Sequence, residues 1–146
     1  MIRKMTEADL SAVAVLERTY FSVPWSEEGL RESMHLSYYL FLVAQQEGKV
    51  VGYGGIFWAA DEGNITNIVV EEAYRGLGLG TALTDALLSA GEANGIKAFT
   101  LEVRLSNLAA IHVYEKLGFV GEGIRKGFYE KPAEDALVMW KRKPEQ

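Results

Sequence analysis

Val69-Val70-Glu71-Glu72-Ala73-Tyr74-Arg75-Gly76-Leu77-Gly78-Leu79-Gly80-Thr81 is the stretch from which the rest of the chain is read. It leaves an apolar run, turns through glycines and enters a segment where Leu79, Leu83, Ala86, Leu87 and Ala90 recur at helical spacing. A strand, a glycine turn and a helix in that order present backbone N–H groups at the positive end of a helix dipole. Glycines let an anion reach those amides without meeting a side chain. The loop therefore suits a pyrophosphate. It lacks the Gly-Lys-Ser/Thr ending of a nucleotide-hydrolysing P-loop. It also fails as a dinucleotide fingerprint, because Thr81 stands where a third glycine belongs and Ala98 to Leu101 holds no acid for a ribose. A plain strand–helix turn, with glycine serving close packing alone, is the other reading of the same residues.

Outward from the loop, the pattern alternates between strand and helix. Ile2 to Lys4 reads as a short strand, and Thr6-Glu7-Ala8-Asp9 as a helix cap followed by Leu10, Val13, Leu16 and Tyr20 at helical spacing. Pro24-Trp25-Ser26-Glu27-Glu28 starts a second helix, with Ser26 as cap and acids in the first turn. Tyr38 to Gln45 and Lys49 to Trp58 are strands joined by a Glu47-Gly48 turn, and Asn64 to Val70 is a third. Beyond the loop, Asn94-Gly95 stops its helix, Lys97 to Arg104 is a strand, and Ser106-Asn107 caps a helix that ends near Leu117 at Gly118. Phe119 to Ile124 and Ala136 to Trp140 close the chain as strands, and Pro24, Pro132 and Pro144 fall outside the periodic segments. The order βααβββαβαββ predicts an α/β fold, a mixed-direction sheet flanked by helices.

Composition narrows the function. At 146 residues the chain is expected to form one domain, residues 1–146. Lys plus Arg number 15 against 20 Asp plus Glu, a net charge of −5 that disfavours nucleic-acid binding and suits a basic partner. With no cysteine there is no disulfide, no thiolate-held metal and no cysteine nucleophile. His35 and His112 are the only histidines, so no metal site is expected. Neither a membrane-length apolar run nor a signal-like N-terminus stands out, which predicts a cytoplasmic protein with no membrane partner.

Arg75-x-x-Gly78-x-Gly80 resembles the acyl-CoA pyrophosphate motif of the GNAT superfamily of N-acetyltransferases, and the element order is similar over nearly the whole chain. Pro24-Trp25-Ser26-Glu27, the stretch Leu101-Glu102-Val103-Arg104-x-Ser106-Asn107-x-Ala109-Ala110-Ile111, and Tyr114-Glu115-x-Leu117-Gly118-Phe119 look most like the ribosomal-protein-alanine N-acetyltransferase group, RimI. The resemblance implies the GNAT fold and acetyl-CoA as donor, with transfer inside a ternary complex. It implies that the backbone of Ile68, Val69 and Val70 binds the pantetheine as an added strand. It implies that Arg75, Gly76, Leu77, Gly78, Leu79, Gly80 and Thr81 hold the diphosphate, although the family often carries a second arginine where this chain has Gly76.

Acetyl transfer to an amine needs a proton removed from the ammonium and the departing thiolate satisfied. Strand alternation puts Leu101 and Val103 on one face, Glu102 and Arg104 on the other. Glu102 is then either a base in a cleft or half of a solvated ion pair, and the resemblance implies the base. Tyr114 shares a helix face with Ala110, Ile111 and Leu117, which fits a core aromatic; the resemblance implies a proton donor beside the CoA sulfur. Asn107 reads as a helix cap, to which the resemblance adds a cofactor contact. His112 lies off the Tyr114 face and reads as a surface residue.

On the acceptor side the resemblance implies a peptide N-terminus, that of a ribosomal protein, held between Phe21 to Glu28 and Arg125 to Glu134 with Trp25 and Tyr129 as contacts. Gly127-Phe128-Tyr129 replaces the Asn-Tyr-Tyr often found there. A lysine or small-molecule amine as acceptor, and a non-catalytic acyl-CoA-binding module, are the competing readings.

Overall fold

The computed structural model describes residues 1–143; Pro144 lies outside them. Its elements are β1 (Ile2–Lys4), α1 (Leu10–Tyr20), α2 (Glu27–Met34), β2 (Tyr39–Gln46), β3 (Lys49–Ala59), β4 (Glu62–Val70), α3 (Leu79–Ala93), β5 (Ala98–Arg104), α4 (Leu108–Lys116), β6 (Val120–Glu130) and β7 (Ala133–Arg142). This is the order expected from the sequence. The seven strands form one sheet, ordered β1-β2-β3-β4-β5-β7-β6. Every neighbouring pair is antiparallel except β4 and β5, which α3 connects. A parallel pair needs such a crossover.

Period-two alternation distributes the core to both faces of the sheet. On β2, Leu42 and Ala44 join a cluster with Leu83, Leu87, Phe99 and Met139, whereas Phe41 and Val43 join Leu10, Val13, Leu16 and Leu30. The glycine-loop helix α3 therefore covers one face, and α1 with α2 covers the other. On α3 the buried stripe runs through Leu79, Leu83, Thr84, Leu87, Leu88 and Gly91, so it leans away from Ala86 and Ala90 of the expected stripe.

Two boundaries differ from expectation for physical reasons. The first helix begins at Leu10, after a 3-10 turn over Glu7–Asp9. Thr6 is the N-cap of that turn and forms a capping box with Asp9: Thr6 O accepts the Asp9 amide at 2.9 Å, and the Thr6 amide and hydroxyl donate to the Asp9 carboxylate, which also receives Arg3 at 2.8 Å through each terminal nitrogen. Arg3, and Thr6 after it, hold the Asp9 carboxyl below its ordinary value. A lowered native pKa stabilises the fold above the unfolded value, near 3.9, and that contribution is lost as pH falls through the native value. Asp9→Asn is expected to cost about 1–3 kcal/mol at pH 7. In thermal melts the gap between variant and wild type should narrow as pH falls through the lowered native value and the carboxylate protonates.

The second difference is at the end of the chain. The hairpin expected over Arg125 to Glu134 is present, but its strands run further than Ile124 and Ala136, with Tyr129 opposite Glu134 and Glu130 opposite Ala133. β6 is an edge strand, exposed along all but one of its positions, so it carries no apolar alternation to announce itself.

Candidate active site

β4 and β5 pair only from Glu62–Asn64 to Ala98–Thr100. Beyond that point Thr66, Asn67 and Ile68 on one strand, and Glu102, Val103 and Arg104 on the other, line a cavity of about 750 Å³. A β-bulge helps to shape it: Thr66 and Asn67 both oppose Gly55. A side chain at Gly55 would sit 2.7 Å from Phe41 and from Thr66 Oγ1, so the site needs glycine there.

The strand edge left by this divergence decides which backbone groups are free. Glu71 donates its amide to Val51 O on the β3 side. Antiparallel alternation then commits Val69 to Tyr53, its partner in register, and turns Ile68 and Val70 the other way. Val69, expected among the groups open to a ligand, instead belongs to the ladder. Ile68 and Val70 face the opening, although Val70 O already accepts Arg75 Nε at 2.9 Å.

The glycine loop enters α3 through Gly78, whose φ of +79° is the left-handed conformation that glycine adopts without strain. Gly76 is also left-handed, at +84°, and a Cβ at either position would meet nothing within 4 Å. The first helical bond runs from Ala82 to Gly78 O, so the amides of Leu79, Gly80 and Thr81 precede it and have no partner in the helix. No acid stands in the first turn. Open, side-chain-free amides at the positive end of a 15-residue helix fit a diphosphate. The Arg75 side chain does not point into this cradle. Its guanidinium stacks 4.9 Å from the Tyr20 ring, and Tyr20 Oη accepts the Glu72 amide at 2.8 Å. Those contacts fasten the loop to the end of α1.

Around the cavity the structure brings Glu102, Asn107, Tyr114, Trp25 and Tyr129 together. Glu102 is largely shielded, and Arg125 Nη1 approaches its Oε1 at 3.4 Å, a contact at the limit of hydrogen bonding. Arg104 is not its partner. That guanidinium reaches Glu134 at 3.3 Å, donates to Pro132 O at 2.9 Å and Lys131 O at 3.2 Å, and lies 4.2 Å over the Tyr129 ring. Glu134 in turn accepts the Ser106 amide at 2.7 Å. Ser106 first, and Arg104 after it, holds the Glu134 carboxyl below its ordinary range. This arrangement anchors the β6–β7 hairpin beside Asn107, which caps α4 by accepting the Ala110 amide at 3.2 Å.

Tyr114 packs edge-on against Phe119, and burial pushes its phenol up to about 12. Burial also raises Tyr129. Trp25 stands edge-on to Tyr39 and Phe41, which fixes the wall opposite the hairpin. The sequence reading missed Asn67 and Tyr20. It also missed Glu17, whose Oε1 accepts the Trp25 amide at 2.8 Å from beneath that wall. For Glu17 a signal was present: it follows Val13 by four and Leu10 by seven, on the buried stripe of α1.

Comparison with known proteins identifies the family. The Acetyltransferase (GNAT) family matches residues 10–119. The [ribosomal protein bS18]-alanine N-acetyltransferase of Escherichia coli (strain K12) is 35% identical over 140 residues, covering 94% of either chain. The crystal structure of the E. coli ribosomal-protein-S18-alanine N-acetyltransferase superimposes with a TM-score of 0.89 at 33% identity, over 100% of this chain and 95% of that one. Ard1 from Thermoplasma volcanium also gives 0.89, at 28% identity, with 99% and 98% covered. On a family match that runs from α1 to Phe119 and relatives that span nearly its full length, the chain is an N-acetyltransferase and belongs to the GNAT family.

Proposed function

We propose that residues 1–146 act as one domain that transfers acetyl from acetyl-CoA to a protein N-terminal α-amine, with the N-terminal alanine of a ribosomal protein as acceptor. The observation that carries this reading is the meeting of Glu102 and Tyr114 in one cavity walled by Trp25 and Tyr129. The relatives named for acetylating ribosomal-protein alanine support the acceptor, and the net charge of −5 suits a basic one.

Acetyl-CoA, when bound, supplies the thioester. The Gly76 to Thr81 loop would hold its diphosphate, Ile68 and Val70 its pantetheine, and Asn107 would add a side-chain contact. Glu102, directly or through water, takes the proton the ammonium must lose before its lone pair can attack. Tyr114, held protonated by burial, donates a hydrogen bond to the departing sulfur. One carboxylate suffices because an α-amine titrates near 7.7–8.0, against about 10.4 for lysine. At pH 7.5 about a third of an α-amine is already neutral, against roughly one lysine in a thousand.

The test is a pair of peptides of one sequence, the first with a free N-terminal Ala and a blocked lysine, the second with the blocking reversed. Mass spectrometry is expected to find acetyl on the α-amine, with turnover at least about 100-fold faster than on lysine. Equal modification of both peptides would overturn the acceptor assignment.

A further inference from the structure

α1 carries an acid where its apolar stripe calls for a hydrocarbon. Glu17 is 0% exposed, surrounded by Leu10, Val13, Leu16 and Tyr53 of the same buried cluster. Three donors from three elements meet it. Oε1 accepts the Trp25 amide at 2.8 Å, and Oε2 accepts Asn67 Nδ2 at 3.2 Å together with the Tyr53 hydroxyl. Among the described residues no arginine, lysine or histidine pairs with it. A buried carboxylate without a cation is costly, and hydrogen bonds from fixed donors are what sustain it. Burial and the Glu17 carboxylate raise the Tyr53 phenol well above its ordinary value, so that group stays a donor.

Packing alone does not call for an acid here, and what Glu17 joins suggests a use. Trp25 belongs to the α1–α2 wall of the cavity, and Asn67 to the bulge of β4, next to Ile68; both line the cavity. Tyr53 does not. The carboxylate therefore spans the floor between the acceptor-side wall and the strand along which the donor would lie.

We propose that Glu17 is a positioning residue for the acceptor. It sets the height of the Trp25 wall above β4. It also orients the Asn67 carboxamide, with Nδ2 spent on Glu17 and Oδ1 left to receive an N–H of the acceptor's amine end. The inference rests on the acetyl-transfer reading of the cavity and adds Glu17 and Asn67 to it as determinants of acceptor binding.

Glu17→Gln keeps the volume but replaces one oxygen by an NH2 group. It can then accept on one side only, and its other end meets a donor with a donor. Steady-state kinetics are run with whichever amine the wild-type enzyme acetylates, so a wrong choice between α-amine and lysine leaves this test intact. The KM for the acceptor is expected to rise at least tenfold in Glu17→Gln and in Asn67→Ala, with the KM for acetyl-CoA within about twofold of wild type. The double variant should be no worse than the poorer single one, since both act through one contact. The proposal is overturned if Glu17→Gln lowers stability while sparing the acceptor KM, or raises both KM values alike. Should Glu17→Gln fail to fold, an unchanged acceptor KM in Asn67→Ala overturns it equally.

Discussion

Tyr114→Phe is expected to lower kcat by about 100-fold or more while leaving the affinity for acetyl-CoA unchanged. The substitution removes a single oxygen. The ring keeps its edge-on contact with Phe119, so melting temperature should hardly move. What is lost is a donor that never titrates at working pH, because burial has pushed the phenol to about 12. That value also limits the role. Handing a proton outright to a thiolate of reference pKa near 8.5 is uphill by about 3.5 units, or ~5 kcal/mol. The phenol therefore acts mainly by a hydrogen bond that strengthens as charge gathers on sulfur, which is why its removal should appear in kcat. Steady-state kinetics alongside calorimetric binding of acetyl-CoA separate the two effects. Wild-type turnover in the variant would remove Tyr114 from the reaction.

The same phenol makes a second expectation. No alkaline decline in wild-type rate should be traceable to Tyr114 below about pH 11, since the neutral form is stabilised by the fold up to its native value.

How far a sequence discloses such a site depends on what kind of force places each residue. The order of elements was readable because α1, α3 and β2 announce themselves by apolar period, and because glycines punctuate the loop before Leu79. Period alone gave Glu102 and Tyr114 only their faces, the polar parity of β5 and the inward side of α4; the roles assigned to them came from the family resemblance. The full length of the β6–β7 hairpin was not legible, because an exposed edge strand is held by its backbone ladder and by Arg104, neither of which leaves a periodic trace. Arg75 fits the expected motif, yet its side chain is spent on Val70 O and the Tyr20 ring. Tyr20 lies 55 positions away in the chain, beyond the reach of any local pattern. Val69 was misjudged through one amide: which backbone groups face a ligand follows from the Glu71–Val51 bond, a matter of register. Glu17 keeps the period of α1 but puts an acid on its buried stripe, a signal that tells of burial and not of the partners it meets.

Gly78→Glu should reduce acetyl-CoA affinity at least 100-fold, about 2.7 kcal/mol. Two effects combine at this position. A residue with a Cβ pays roughly 1–2 kcal/mol for the left-handed φ of +79°. Because nothing lies within 4 Å of that Cβ, the fold itself need not collapse. The carboxylate then stands beside the free amides of Leu79, Gly80 and Thr81, competing for them and repelling any incoming phosphate. Gly78→Ala carries the backbone strain alone and should lose less than about tenfold. Gly78→Gln adds the bulk without the charge, so the gap between Gln and Glu measures electrostatics. That gap should narrow with added salt, since the loop is exposed and its field is screened within about 10 Å at 0.1 M. Isothermal titration of the three variants reads each contribution directly. If the glutamate variant bound acetyl-CoA as tightly as wild type, the diphosphate would have to lie away from the start of α3, and the orientation of the thioester toward Glu102 and Tyr114 would lose its support.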